Sequence, residues 1–225
     1  MSTFNEKKFL DRIQKLSQLN KMQEAIKLLL PIIKNEQLKD NPRLFLRYAF
    51  LLYHIRLQDY SSKRGSKKYI VAKNNMIKAK KILLKIISLR NGIVEKKDLL
   101  NAKIALAQIY AITKNKKAVP LAISNYENSP STVTANRLAN VYLILGNVNK
   151  AKIWYKKYEN LLIKNKLMDF VALGDLAVIY KSLGDQAKAN KYFKKAVPLI
   201  PKNSVGWCMS CILYRNGFPI KKQGF

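Results

Sequence analysis

The chain has 225 residues, and 43 Lys and Arg against 13 Asp and Glu give it a formal net charge of +30. A hydrophobic content of 48% supplies enough apolar surface for a folded core and excludes an intrinsically disordered chain. The N-terminal sequence lacks the apolar stretch of a secretory signal, the apolar runs are too short to cross a bilayer, and cysteine is scarce, so we expect a cytoplasmic protein with no transmembrane segment.

The N-terminal third predicts two pairs of helices. Ala25, Leu29 and Ile32 share one helical face, which predicts the second helix of a pair within residues 6–41. A pair is also predicted within residues 42–92, with a basic insert at residues 60–73 between its two helices. Its second helix has the same spacing of apolar residues: Ala79, Leu83 and Ile86.

The following residues repeat a motif with a period of about 34 residues. The motif begins with an apolar residue, then a small one, and has a tyrosine three positions after the small residue. The tyrosines lie 32, 38 and 34 residues apart. They are Tyr110, Tyr142, Tyr180 and Tyr214.

The unit at residues 170–203 is the most complete, and its spacing predicts two helices that pack against each other. Small residues such as Ala189 let the helix axes approach closely, while Tyr180 and Phe193 are expected to fill the space beside them. Gly184 is predicted to end the first helix in a left-handed conformation, and Asp185 to cap the second. Pro201 is predicted to stop the second helix.

This unit resembles the tetratricopeptide repeat, because it matches the motif of that family in the first helix, in the second helix and at the terminal proline. The matching residues are Leu173, Leu176, Ala177, Tyr180, Ala189, Phe193, Ala196 and Pro201. The resemblance implies an all-α, right-handed α-solenoid of about five helix hairpins plus a C-terminal helix. We expect a single domain over residues 1–225. The expected repeats are 6–41, 42–92, 97–131, 132–169 and 170–203, followed by a helix at 204–217.

The resemblance also implies a non-enzymatic adaptor that binds a protein or peptide in a concave groove lined by the first helices of the repeats, and the net charge of +30 favours an acidic partner. Asn136 and Asn140, one turn apart, are suited to hydrogen-bonding an extended peptide backbone. The carboxylate clamp of co-chaperones is not expected, because Ile104, Val171 and Asp175 stand where partner cations or amides would be needed. The alternative is that the expected groove residues are ordinary solvated residues with no fixed ligand. The expected groove residues are Arg47, His54, Asn136, Arg137, Asn140, Lys181 and Arg215.

An alternative hypothesis is a basic binder of nucleic acid or of another anionic surface, for example a regulatory module of a transcription system. Lysines concentrate in the second helices, and residues 63–68 are expected to form a basic loop. A merely solvated basic surface would show the same pattern. The candidate contacts are Lys63, Arg64, Lys67, Lys68, Lys156, Lys157, Lys194 and Lys195.

No catalytic, cofactor or metal site is expected. His54 is the only histidine, and Cys208-x-x-Cys211 lacks a second ligand pair for zinc, so packing explains Cys211 better. The C-terminal segment around Trp207 is an apolar helix without a pairing helix. It predicts contact with a second copy or with a partner, unless the tail folds back over it.

Overall fold

A computed structural model of the chain describes residues 4–18, 21–35, 41–55, 65–89, 93–200 and 217–219. The chain divides into two compact units, residues 1–125 and residues 126–225. The regular structure in the described residues is helical. Its elements are α1 (Glu6–Gln18), α2 (Met22–Lys34), α3 (Pro42–Ile55), α4 (Lys67–Ser88), α5 (Lys96–Ile112), α6 (Ala118–Asn128), α7 (Thr132–Ile144), α8 (Val148–Lys164), α9 (Phe170–Ser182), α10 (Gln186–Ala196) and a 3-10 helix (Val197–Leu199).

The first unit packs its helices in chain order, each against the next from α1 to α5, with α3 also contacting α5. Its core contains fully buried aliphatic side chains such as Leu44 and Leu83. A buried polar contact joins α3 to α5, where the Tyr53 hydroxyl donates a hydrogen bond of 2.9 Å to Gln108 Oε1. These two polar groups can be buried because the hydroxyl donor and the amide oxygen form a hydrogen bond with each other.

The second unit is built from two hairpins, α7 with α8 and α9 with α10, and α8 also packs on α9. Ala139 and Ala151 in the first hairpin, and Ala177 and Ala189 in the second, are all fully buried. Side chains of this size let helix axes approach to about 8–10 Å. The structure thereby confirms an all-α fold of helix hairpins.

The ends of the first helices share one geometry. Gly184, with φ +80°, follows α9, and the Asp185 amide donates to the Tyr180 carbonyl at 2.9 Å. The Asp185 side chain then accepts a 3.0 Å hydrogen bond from the Lys188 amide at the start of α10. The predicted roles of Gly184 and Asp185 are both confirmed, and Gly146, with φ +81°, ends α7 in the same way.

Two features of the second hairpin differ from expectation. The residue buried against Tyr180 is Tyr192, whose ring stacks at 5.7 Å, whereas Phe193 is half-buried and stacks on Phe218 at 4.9 Å. The α-helix ends at Ala196 and continues as a 3-10 turn containing Pro198, because proline supplies no amide to the helical ladder. Pro201 lies outside the described residues.

The expectation of a basic loop at residues 63–68 is corrected for its second half. Lys67 and Lys68 are the first residues of α4, because the Ser66 side chain accepts a hydrogen bond from the Tyr69 amide and caps the helix. Lys63 and Arg64 lie outside the described residues, as does the segment 204–216 of the predicted C-terminal helix. No helix within the described ranges is long and apolar enough to cross a membrane.

Candidate peptide-binding surface

Asn136 and Asn140 lie one turn apart on α7, and a hydrogen-bond network fixes the second of them. Asn140 Nδ2 donates to the Asn136 carbonyl at 3.0 Å and to Asn136 Oδ1 at 2.9 Å. The Tyr155 hydroxyl on α8 donates to Asn140 Oδ1 at 2.9 Å. Burial raises the pKa of Tyr155, so its hydroxyl keeps its proton and remains the donor.

The two asparagines therefore have different roles. Both donors of the Asn140 amide are used within the protein, which makes Asn140 a positioning residue. Asn136 receives one of those hydrogen bonds at its oxygen, while its own Nδ2 donates none within the described residues. Asn136 is half-buried, so its amide group is held in place and can still donate to a ligand.

Arg137 and Asp175 bring opposite charges to the same part of the second unit. Arg137 is exposed on α7, and Asp175 is half-buried on α9. Burial raises the pKa of Asp175 to about 6, an effect that the charge of Arg137 opposes and that of Asp169 reinforces. Burial also raises the pKa of Tyr158 to about 12, with a further contribution from Asp175. We call Asn136, Arg137 and Asp175 the α7–α9 surface.

The expected groove residue Lys181 is engaged by the protein itself. Its Nζ donates a 2.9 Å hydrogen bond to the Gly217 carbonyl and lies 4.7 Å from the centre of the Phe218 ring. Phe218 is buried, so Lys181 anchors the segment 217–219 against the second unit. Arg215 lies outside the described residues.

The two candidates in the first unit lie on α3. Arg47 is half-buried and donates a 3.3 Å hydrogen bond to Gln14 Oε1. Burial lowers the pKa of Arg47, against the opposing charge of Asp98. His54 is exposed, with its ring 4.2 Å from that of Tyr53.

A buried cluster around Glu159 was not predicted from the sequence. Glu159 on α8 accepts hydrogen bonds from the Tyr180 hydroxyl at 2.7 Å, from Lys156 Nζ at 2.9 Å and from the Tyr192 hydroxyl. Burial favours the neutral carboxyl, but these hydrogen bonds outweigh it and lower the pKa of Glu159. The feature of the sequence that could have indicated this cluster is a single acidic residue on the apolar face of a lysine-rich helix.

The lysines proposed as anionic contacts have different environments. Lys156 pairs with Glu159, and Lys157 Nζ lies 4.5 Å and 4.8 Å from the ring centres of Tyr126 and Trp154. Lys194 and Lys195 are exposed in the last turn of α10, and Lys67 and Lys68 are exposed at the start of α4. Among the described residues, no group of three or more metal-binding side chains occurs.

A match to a protein family lies in the second unit. A family model of the tetratricopeptide repeat matches residues 134–161 and 171–203, which contain most of α7–α8 and α9–α10. No curated protein matches the sequence significantly. A similar solved structure, described as MamA AMB-1 C2221, is 19% identical, with 85% of this chain and 96% of that chain aligned and a TM-score of 0.38.

Proposed function

We propose that this chain, in which a tetratricopeptide-repeat model matches residues 134–161 and 171–203, is a non-enzymatic adaptor whose α7–α9 surface binds an extended segment of a partner protein. Tetratricopeptide repeats are protein-interaction modules, which favours a protein as the partner. The observation that carries the proposal is the fixed orientation of Asn136, whose amide group donates no hydrogen bond within the described residues and which precedes the exposed Arg137 on α7. An amide can pair with the backbone of an extended peptide, and a guanidinium with a carboxylate side chain.

The charge of this surface favours an acidic segment. On α7 and α9, the basic residues are Arg137 and Lys181, and Lys181 is already bound to the Gly217 carbonyl. Arg137 is exposed and forms no ion pair within the described residues, so its charge is open to a carboxylate. Asp175 beside it opposes an anion when ionised, and we expect Asp175→Asn to strengthen capture of an acidic partner.

The test compares partners captured from cells by the full chain and by the double variant Asn136→Ala, Arg137→Ala. Capture is expected to fall at least about tenfold, since loss of one hydrogen bond to a charged group alone costs about 1.5–3 kcal/mol. The matched control is Asn160→Ala, Lys164→Ala, which removes one amide and one positive charge from exposed positions on α8. Equal capture by both double variants would remove the α7–α9 surface from the proposal.

A second candidate, binding of nucleic acid, is favoured by the distribution of lysine within the second unit. Helix α8 carries five lysines and α10 carries four, and their only acidic residue is the buried Glu159. A hydrogen bond from the Tyr192 hydroxyl on α10 to Glu159 on α8 joins the two lysine-rich helices. A phosphate backbone would gain from this arrangement by releasing its counterions.

Fluorescence anisotropy with a DNA duplex of arbitrary sequence tests nucleic-acid binding. We expect binding whose log–log dependence on salt has a slope of about −0.9 for each phosphate contacted. Replacing Lys152, Lys191 and Lys194 by Gln should weaken binding and flatten that slope, while Lys7→Gln, Lys8→Gln and Lys15→Gln on α1 should have a smaller effect. Absence of binding at low salt rejects the candidate.

A further inference from the structure

Helix α4 has two apolar faces, and within the described residues only one of them is buried. Its buried residues are Ala72, Met76, Ala79, Leu83 and Ile86, and they pack in the first unit, where α4 contacts α3 and α5. The opposite face carries Ile70, Ile77 and Leu84, which are 47%, 45% and 41% exposed. Their spacing of seven residues places them in one nearly straight row along the helix.

Lysines border this row on both sides. Helix α4 contains seven lysines and no acidic residue. Helical geometry places Lys67 and Lys81 along one side of the row and Lys73 along the other, and all three are exposed. Farther round the helix, Lys78 and Lys80 extend over the rings of Tyr48 and Tyr110, each at 5.3 Å.

We propose that α4 lies flat on an anionic lipid surface. The three aliphatic side chains would enter the boundary between headgroups and acyl chains, and the lysines would meet the lipid phosphates and carboxylates on either side. Lysine suits this arrangement because its aliphatic stem can lie along apolar surface while the ammonium group stays in the polar layer.

The charge and shape of the face argue against a second copy of the chain and against nucleic acid as occupants. A second copy of the chain would bring another seven lysines against these seven, with no acid on either helix to compensate. Nucleic acid would find no aromatic side chain in the row to stack a base, since Ile70, Ile77 and Leu84 are aliphatic. The row spans about 21 Å, because 14 residues rise at about 1.5 Å each, and its side chains can reach one plane together.

Sedimentation with vesicles tests the proposal on the full chain. The probes are phosphatidylcholine vesicles with and without about one third phosphatidylserine, a composition that mimics an anionic leaflet. We expect binding only to the anionic vesicles. The triple variant Ile70→Gln, Ile77→Gln, Leu84→Gln should reduce this binding at least about tenfold, since each aliphatic side chain contributes by burying its surface.

Two control variants separate insertion from general charge and hydrophobicity. Ile153→Gln, Ile163→Gln, Val171→Gln removes three exposed aliphatic side chains from the second unit and should leave vesicle binding unchanged. The conservative variant Ile70→Leu, Ile77→Leu, Leu84→Ile should retain binding. Circular dichroism of each variant checks that the helices are intact.

Three results would overturn the proposal. The first is equal binding of anionic vesicles by the wild type and by the triple Gln variant, which would mean that the aliphatic row does not insert. The second is no binding of anionic vesicles at low salt. The third is no vesicle binding combined with capture of an acidic protein that the triple Gln variant fails to capture, which would assign the face to a protein partner. None of these results bears on Asn136 or Arg137, so the proposal fails or stands separately from peptide binding.

Discussion

At the scale of single residues, the second unit has two carboxylates whose pKa values shift in opposite directions, although burial favours the neutral form of both. Glu159 accepts hydrogen bonds from two tyrosine hydroxyls and a lysine, and its pKa is lowered. Asp175 has no such donors in the described structure, and burial raises its pKa to about 6. Hydrogen bonds to the charged form therefore decide the direction in which the pKa of each carboxyl shifts.

The Glu159 cluster predicts a stability cost with a defined dependence on pH. At neutral pH, Glu159→Gln should lower the free energy of unfolding by about 1–3 kcal/mol, because two tyrosine hydroxyls lose a charged acceptor. The pKa of Glu159 in the folded protein lies below its ordinary value of 4.5, so the stability from this carboxylate is complete above pH 4.5 and is lost as pH falls through the folded pKa.

Urea unfolding at several pH values measures the Glu159 effect. The difference between the wild type and Glu159→Gln should narrow at acidic pH, where the wild-type carboxyl is also neutral. Glu127→Gln, at an exposed position on α6, is the control and should change little. A cost that stays constant from neutral to strongly acidic pH would contradict the role of the charge.

For Asp175 the sign is reversed. A folded pKa of about 6 exceeds the value of 3.8 expected for the unfolded chain, so ionised Asp175 destabilises the folded state, increasingly as pH rises from 3.8 to about 6. Asp175→Asn should therefore stabilise the protein above that range by about 1–2 kcal/mol, and should have little effect below it.

Thermal unfolding across the same pH range checks the Asp175 prediction, with the exposed Asp11→Asn on α1 as control. A variant that is no more stable than the wild type at pH 7 would show that Arg137 compensates the buried charge fully.

At the scale of helices, three first helices end in the same hydrogen-bonded turn, but one of them lacks glycine. Gly146 and Gly184 each follow a motif tyrosine by four residues, and Lys114 follows Tyr110 by the same distance. The Asn115 amide donates to the Tyr110 carbonyl at 2.8 Å, as in the other two turns, and Lys114 has a φ of 56°. A side chain in this left-handed region is strained.

Lys114→Gly should therefore stabilise the first unit by about 0.5–1 kcal/mol, since glycine adopts positive φ without a steric cost. The reverse change, Gly184→Ala, should destabilise the second unit by about 1 kcal/mol. A Cβ at position 184 would meet no atom within 4 Å, so backbone strain alone would account for that cost. Chemical denaturation measures both variants. A destabilised Lys114→Gly would show that the lysine's side-chain contacts outweigh the strain.

The helices and their turns could be predicted where the sequence signal is local. Gly184 and Asp185 act within one turn, and the apolar spacing of the second unit follows from a single helical face. The start of α4 was missed because one capping serine, Ser66, decides it within a lysine-rich segment. The second aliphatic row of α4 was also missed, because a helix with two apolar faces shows no clear amphipathic pattern.

The candidate site was less predictable than the fold. The repeat pattern indicates which helix carries Asn136 and Asn140, but it does not indicate that Tyr155 and Asn136 use up the hydrogen bonds of Asn140. Nor does it reveal the Glu159 cluster, because the two tyrosine partners of Glu159 lie on later helices. Contacts of this kind depend on side-chain positions between helices, which a repeat period does not specify.

At the scale of the whole molecule, the net charge of +30 is the dominant property. Few acids are available to offset it within the described structure. The single residue Arg43 forms ion pairs with three of them, Glu6, Glu95 and Asp98. Glu159 is buried and so does not offset the charge at the surface. Like charges on the surface repel, and this repulsion opposes the compact state.

Salt should therefore stabilise the protein. Raising ionic strength from low to physiological values shortens the screening length to about 8 Å. We expect the melting temperature to rise by about 2–4 °C, which corresponds to about 1 kcal/mol for a chain of this size. Lys191→Glu with Lys194→Glu should reduce the increase. A melting temperature that falls with salt would show that ion pairs such as those of Arg43 dominate instead.

Trp154 is packed edge-on to Tyr126 at 4.7 Å, with the Lys157 ammonium group over both rings. The emission of an indole depends on charges held this close. Any anion that draws Lys157 away would therefore change the fluorescence spectrum without a dye or tag. The chain has two tryptophans, so Trp207→Phe would leave Trp154 as the sole indole. The fluorescence of that variant would then report directly whether an anion is bound at the basic side of α8.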